Sequence, residues 1–436
     1  MTSQTEHIYY EAMDGGETVY TVSASAMKFG VGALKEVGDD AKSLGMKRVA
    51  VYTDQNISST PSTSILMDAL RGAGLEVELF DRCHVEPTDI SIEEATQFAI
   101  DGKFDGFVSL GGGSVMDTAK AANLFSCYPA DVMAYLNSPI GEGRPIPGKL
   151  KPHIACPTTC GTGSETTGII VFDVTKIGVK TGIASAFLKP TMAVIDPTTT
   201  HTLPGGVVAS TGFDVLTHAI ESYTARPFTS RTRSLSPADR PPYQGANPYC
   251  DVGCLEAIRI GGENLLAGIE GDTEARNQLM FAATLAGMAF GSSGVHIPHA
   301  LSYSIATFGH HYVASGYEKA DPMVPHGIAV VMTAPAVFRM TGTAAEGRHL
   351  TAAENLGANI SGAGSNEAGQ ILATRMIELM KAADLDNGLE GLGIHASDIP
   401  AMAKSGFTQK RPLAQAPIDV TEDDLVAIYQ DSMRYW

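Results

Sequence analysis

Through the first 200 residues, short β-rich runs alternate with stretches whose apolar positions recur at helical spacing. Arg48–Thr53 (RVAVYT), Glu76–Phe80 (EVELF) and Gly106–Leu110 (GFVSL) read as strands, with helices at Ser62–Ala73 and Ser91–Asp101 between them. Strand–helix–strand alternation with short connections predicts a parallel, doubly wound sheet. A Thr/Gly-rich loop follows at Pro157–Gly168, then two further β-like runs, Ile169–Asp173 and Met192–Asp196. Beyond about residue 200 strand signals nearly vanish. Long apolar stretches rich in Ala, Gly and Met take over, such as Gln278–Gly291 and Ile328–Met340. The pattern predicts an α/β plus all-α chain: a Rossmann-like parallel-sheet domain over residues 1–200 and a helical domain over 201–436. A polar insertion rich in Arg and Pro, Ala225–Pro248, interrupts the helices, and long irregular stretches of this kind are commonly functional or disordered.

Composition narrows the classes. The chain has 436 residues, 44% hydrophobic and 18% charged, as an ordinary globular protein does. Its formal charge is −18, with 48 acidic residues against 30 basic ones. Binding to phosphate backbones or anionic membranes needs concentrated Lys and Arg, so neither nucleic acid nor a membrane is an expected partner. A few local arginines can still serve a small anionic substrate. No uninterrupted apolar run reaches the roughly 18 residues of a membrane-spanning helix. The N-terminal MTSQTEHIYYEAMDGGETVY lacks the build of a secretory signal and carries acidic residues where a mitochondrial presequence carries arginines. The six cysteines are few and scattered, which argues against a disulfide framework. Together these features predict a cytoplasmic protein. Cys156 with Cys160, and Cys250 with Cys254, share a four-residue spacing, but small buried hydrophobes fit it as well as metal ligands do.

Two loops carry cofactor chemistry. In GFVSLGGGSVMDTAK, Gly111, Gly112, Gly113 and Ser114 lie between a strand and a helix. Glycines let the backbone approach a pyrophosphate, and the helix start offers free N–H groups and the positive end of its dipole. The spacing is not GxGxxG, and a tight turn without a ligand has the same appearance. Asp117 and Lys120 follow in the first turns of that helix. Asp54 ends the first clear strand, where an acidic side chain suits an adenosine ribose and favours NAD over NADP. An ordinary strand-end turn residue fits there equally. In PTTCGTGSETTG, the hydroxyls of Thr158, Thr159 and Thr162 suit a ribose or the inner phosphate.

The strongest local signal is TGFDVLTHAIESY. Asp214 and His218 stand four apart on an apolar helix, one turn from each other. Both must be paired or bound, because burying them unsatisfied is costly. A divalent metal does this, and so does a simple Asp–His hydrogen bond. His299 follows Pro298 and His326 follows Pro325, each at a predicted helix start. One Asp with three His makes a four-ligand site suited to Fe2+, with Zn2+ as the alternative. His296, His310 and His311 lack that context, and His201 and His349 read as surface residues.

Taken in order, GGGSVMDTAK, PTTCGTGSETT, GFDVLTHAIESY, HALSYSI and PHG closely resemble the iron-containing alcohol dehydrogenases, along nearly the whole chain. The resemblance implies the fold shared with dehydroquinate synthases: an N-terminal dinucleotide-binding domain and a C-terminal helical domain. It also implies metal ligation by Asp214, His218, His299 and His326. VEPTD, SPIGEGRPIPGKLKP, RPPYQGANP and VPHGIAVVMTAPAVF resemble one subfamily, the hydroxyacid–oxoacid transhydrogenases. Hydride transfer from a 4-hydroxybutyrate-like hydroxyacid to a 2-oxoglutarate-like oxoacid through bound NAD is then the expected activity, giving succinate semialdehyde and 2-hydroxyglutarate. An NAD-dependent dehydrogenase releasing free NADH is the alternative. Many members of the wider family carry a histidine credited with proton transfer where this chain has Tyr303, so Tyr303 is the proton-transfer candidate. Small carboxylate substrates call for a cation, and Arg240 is the first choice for bidentate pairing, ahead of Arg226, Arg231 and Arg233. Lys180 is a candidate to reach the cofactor. A homo-oligomer is expected, a dimer first.

Overall fold

The computed structural model describes residues 7–23, 25–318 and 320–436; the first six residues of the N-terminal stretch read for targeting lie outside these. The chain divides into two compact units, residues 24–202 and residues 203–436 together with the N-terminal 23.

Among the described residues the first unit has eight strands: β1 Ala26–Phe29, β2 Arg48–Tyr52, β3 Glu76–Phe80, β4 Gly106–Gly111, β5 His153–Pro157, β6 Ile169–Val174, β7 Val179–Ala184 and β8 Met192–Ile195. Six form one sheet in the order β1-β8-β5-β4-β2-β3, with every neighbouring pair parallel. Three helices used below connect them: α1 Pro61–Gly72, α2 Asp89–Gly102 and α3 Gly113–Cys127. α1 begins with Pro61 in its first turn, and α2 begins with a Thr88/Ser91 capping box, which satisfies free N–H groups at its start. β4 and β5 are buried throughout, as parallel strands covered on both faces must be. β6 and β7 form a separate antiparallel hairpin.

From β2 the chain proceeds to β3 on one side and then to β4 on the other, so the strand order reverses between β2 and β4. Ligands of doubly wound sheets bind beyond the carboxyl ends of the strands at such a point. Asp54 and the glycine run follow those two strands, and Thr53 ties them together by donating from Oγ1 to Leu110 O at 2.8 Å.

The second unit is helical. Its helices include α4 Gly205–Thr224, α5 Pro248–Glu270, α6 Thr273–Ser293, α7 Ile297–Phe308, α8 His326–Val331, α9 Ala334–Thr341 and α10 Glu346–Asn355. α4, α5 and α6 pack on one another, and α4 is buried at every position from Val207 to Thr224. The apolar run 328–340 is divided between α8 and α9, with Pro335 in the first turn of α9. The stretch His326–Ala344 is long and apolar enough to cross a bilayer, yet 78% of its most apolar window is buried within the protein.

A first domain beginning at residue 1 is not what the structure shows. The N-terminal segment packs with the helical unit because its polar groups find their partners there. Tyr9 donates to Asp251 at 2.6 Å, and Glu17 N donates to Arg231 O at 2.7 Å. Gly16 bridges Thr232, and a Cβ there would stand 2.7 Å from Thr229 O. The insertion 225–248 is thus a packed, mostly irregular seat for this segment, held by the short helical turns Phe228–Ser230 and Pro237–Asp239.

Candidate metal centre and nucleotide loop

α4 carries Asp214 and His218 one turn apart inside the helical unit, only 2% and 4% exposed. α7 begins beside Pro298 and brings His299, and α8 begins after Pro325 with His326. The ligand atoms of Asp214, His218 and His299 all lie within 4.8 Å of one another. Asp214 Oδ1 is 3.6 Å from His218 Nδ1, 3.5 Å from His299 Nε2 and 3.9 Å from His326 Nε2. Metal–ligand bonds of about 2.1 Å in a tetrahedral arrangement require donors about 3.4 Å apart. The spacing fits.

The chemistry of these atoms fits too. Asp214 Oδ1, His218 Nδ1 and His299 Nε2 are buried and make no hydrogen bond. Three such atoms turned towards one point are costly unless a cation satisfies them. Burial alone would raise the Asp214 carboxyl, but His218, His326 and His299 outweigh it and hold it at about 2. Burial pushes His218 down to about 3 against the pull of Asp214. Burial also works against a charged His299, yet Glu221 and Asp214 raise it to about 9. Positive charge is therefore favoured where a metal would supply it.

Two residues escaped the sequence reading. Glu221, wholly buried on α4, meets His299 Nδ1 and accepts the backbone N–H groups of His296 at 2.9 Å and His299 at 3.3 Å. Its signal was present, since Asp214, His218 and Glu221 recur at helical spacing along one face. Gly327 is the second. A Cβ there would collide with Ser210 O and stand 3.0 Å from Asp214 Cβ, so only glycine lets the start of α8 approach α4 this closely.

In the sheet unit, Gly111 ends β4, Gly112 caps α3 and Gly113 opens it. A Cβ on Gly112 would stand 3.2 Å from Thr159 Cγ2, and one on Gly113 2.8 Å from Thr162 Cγ2, so the glycine run and the threonine loop lie against each other. The hydroxyls of Thr158 and Thr159 are buried and make no hydrogen bond. Thr162 Oγ1 accepts Ser164 N at 3.1 Å, and Ser114 Oγ accepts Glu86 N at 3.1 Å. Asp54 caps the helical turn Gln55–Ser58 through Oδ1, which accepts Asn56 N and Ile57 N; burial raises its carboxyl.

The Asp117 carboxylate is engaged within the sheet unit. Its carboxylate accepts Ser164 Oγ at 2.6 Å and Val171 N at 2.8 Å, and Lys120 Nζ lies 3.3 Å away. It braces the threonine loop and β6 against α3. Lys180 is ion-paired with Glu86, and burial lowers its ammonium to about 8. Arg240 is likewise engaged, 3.2 Å from Glu17, which is only 7% exposed. The other arginines of the insertion are also held: Arg226 by Ala416 O, Ile418 O and Asp419, Arg231 by Tyr243 O, and Arg233 by Thr18 Oγ1. Tyr303 stands one turn beyond His299 on α7, half-buried. His349, read as a surface residue, is fully buried, with Nε2 3.0 Å from Thr341 Oγ1. Five of the six cysteines are buried and Cys127 is half-buried, all as free thiols.

Comparison with known proteins gives the same assignment by another route. Iron-containing alcohol dehydrogenase matches residues 24–197, and the C-terminal region of the same family matches residues 243–433. The mitochondrial hydroxyacid–oxoacid transhydrogenase of Rattus norvegicus is 44% identical over 421 residues, covering 96% of this chain and 90% of its own; that of Homo sapiens is 43% identical over the same lengths. Among solved structures, a 1,3-propanediol oxidoreductase superposes with a TM-score of 0.83 at 26% identity, over 95% of this chain and all of its own. A sulfoacetaldehyde reductase of Bifidobacterium kashiwanohense, solved in complex with NAD+, gives 0.77 at 25% identity over 95% and 98%. The transhydrogenase relatives are named as mitochondrial, which overturns the cytoplasmic expectation; composition and the N-terminal residues were a poor guide to compartment. With both halves matched, and with relatives 44% identical along nearly its whole length, the chain belongs to the iron-containing alcohol dehydrogenases.

Proposed function

We propose that this protein is a metal- and NAD-dependent hydroxyacid–oxoacid transhydrogenase. It takes hydride from a 4-hydroxybutyrate-like hydroxyacid and gives it to a 2-oxoglutarate-like oxoacid. The observation that carries the reading is the cluster of buried, unpartnered donors around Asp214 Oδ1, in a chain 44% identical to a named transhydrogenase. Asp214, His218, His299 and His326 would hold Fe2+, with Zn2+ as the alternative for the same donors. A divalent cation supplies Lewis-acid polarisation of the reacting oxygen, and a nicotinamide supplies the hydride acceptor.

The protein's own residues set the conditions. Asp214 contributes the negative charge, and Phe290 stacks on the His218 ring at 4.1 Å to fix its plane. The His326 side chain is 32% exposed against 8% or less for the other three, so substrate approaches the centre from its side. The start of α3 and the hydroxyls of Thr158 and Thr159 are offered to the nucleotide, with Gly112 and Gly113 keeping the loop free of side chains. Asp54, which follows β2 where the strand order reverses, would meet the adenosine ribose. Tyr303 is the proton-transfer candidate on position alone. Lys180 acts on the loop through Glu86 rather than as a free ammonium. Arg240, held 3.2 Å from Glu17, serves the fold of the insertion rather than the substrate carboxylate.

The test is oxoacid dependence. Purified enzyme with 4-hydroxybutyrate and excess NAD should accumulate little NADH, and deuterium from the hydroxyacid should appear in 2-hydroxyglutarate once 2-oxoglutarate is added. Sustained NADH release without any oxoacid would establish the ordinary dehydrogenase instead.

A further inference from the structure

Glu221 is wholly buried on α4, and the donors facing it come from the segment that leads into α7. Its two oxygens have different partners. Oε1 accepts the backbone N–H groups of His296 and His299, and Oε2 meets the Nδ1 of the His299 ring. A carboxylate only accepts, so the ring proton must sit on Nδ1. In the neutral ring, the form that binds a cation, Nε2 then carries the lone pair, and Nε2 lies 3.5 Å from Asp214 Oδ1.

We propose that Glu221 is the positioning residue of the metal centre. By anchoring the start of α7 with one oxygen and setting the ring tautomer of His299 with the other, it presents Nε2 to the cation. The inference rests on the metal-centre reading above and deepens it. Histidine ligands generally depend on such an outer partner for orientation and basicity, and its loss commonly costs about 10- to 100-fold in metal affinity. The backbone anchor adds a second dependence, because His299 sits in the first turn of α7, whose free N–H groups need an acceptor in a buried site.

Glu221→Gln separates the two roles. The amide oxygen can keep the backbone N–H groups, but the amide nitrogen then faces Nδ1 as a donor. The ring must accept there, and its proton moves to Nε2, where it opposes the cation.

The experiment measures Zn2+ affinity of metal-stripped protein by competition with a chromophoric chelator, for wild type, E221Q, H299A and the double variant. Melting temperatures of the metal-free proteins monitor the fold. The expected result is about a 10- to 100-fold weaker affinity for E221Q, with the metal-free melting temperature held. In the H299A background the same change should have no further effect, since Glu221 acts through that ring. Wild-type affinity in E221Q, or losses that multiply in the double variant, would overturn the role of Glu221 while leaving the metal centre intact. A wild type that takes up no Zn2+, and is unchanged by H218A, would overturn both.

Discussion

Asp214 Oδ1 and His299 Nε2 lie 3.5 Å apart, although their residues belong to different helices and 85 positions of sequence separate them. Neither atom has a hydrogen-bond partner, and both are buried. Asp214→Ala and His326→Ala are therefore expected to strip the bound metal and to lower hydride transfer on the order of 1000-fold, the scale of several kcal/mol of lost charge stabilisation. Elemental analysis beside a turnover assay checks this. Full metal content in either variant would remove that residue from the ligand set.

Arg240→Ala should act on stability rather than on substrate affinity. Its guanidinium is 3.2 Å from Glu17, and removing it leaves that buried carboxylate without its cation. The expected loss is about 1–3 kcal/mol in chemical denaturation, with the KM for the hydroxyacid unchanged. A large rise in KM at wild-type stability would restore Arg240 as the partner of the substrate carboxylate.

Gly113→Ala places a methyl group 2.8 Å from Thr162 Cγ2, so the threonine loop must shift. Overpacking of this kind costs about 1–3 kcal/mol, or roughly 10- to 100-fold in NAD affinity if the displaced loop is the nucleotide's seat. Gly112→Ala, whose new methyl has 3.2 Å of room, should be milder. Nucleotide fluorescence titration of the two variants tests the order.

His349 gives a pH dependence with a definite sign. Burial lowers its pKa from 6.5 to about 4, so the native ring stays neutral where the unfolded chain takes up a proton. Between those values the unfolded state binds more protons, and stability falls as pH drops from about 6.5 towards 4, by on the order of 3 kcal/mol at full extent. His349→Gln keeps a side chain able to reach Thr341 but cannot protonate. Denaturation at pH 7 and pH 5 should show a smaller acid loss in the variant than in the wild type; equal losses would place the acid sensitivity elsewhere.

Much of the sheet unit was legible because inner parallel strands buried on both faces write themselves as apolar runs, so β2 and β4 lie within one residue of expectation, while the edge strand β3 lies where the alternation of EVELF predicts it. β1, β5 and β7 were missed, since AMKF, HIACP and VKTGIA mix polar residues and cysteine into short segments. In β5, His153 is buried by pairing with Ser109 on the neighbouring strand, 2.8 Å away, which no local pattern announces. The helical unit was read correctly in kind, and within it the apolar run 328–340 proves to be shared by two helices.

By itself the sequence offered four candidate ligands, because Asp214 and His218 share a helical face and His299 and His326 each follow a proline at a helix start. It also placed the glycine run between a strand and a helix. The tertiary structure alone decided which polar groups remain available for chemistry. Asp117 is engaged by Ser164 and Val171, Arg240 by Glu17 and Lys180 by Glu86, while Glu221 turns to His299. The physical reason is that a side chain's character is local, whereas its hydrogen-bond and ion-pair partners arrive from distant segments only once the chain has folded.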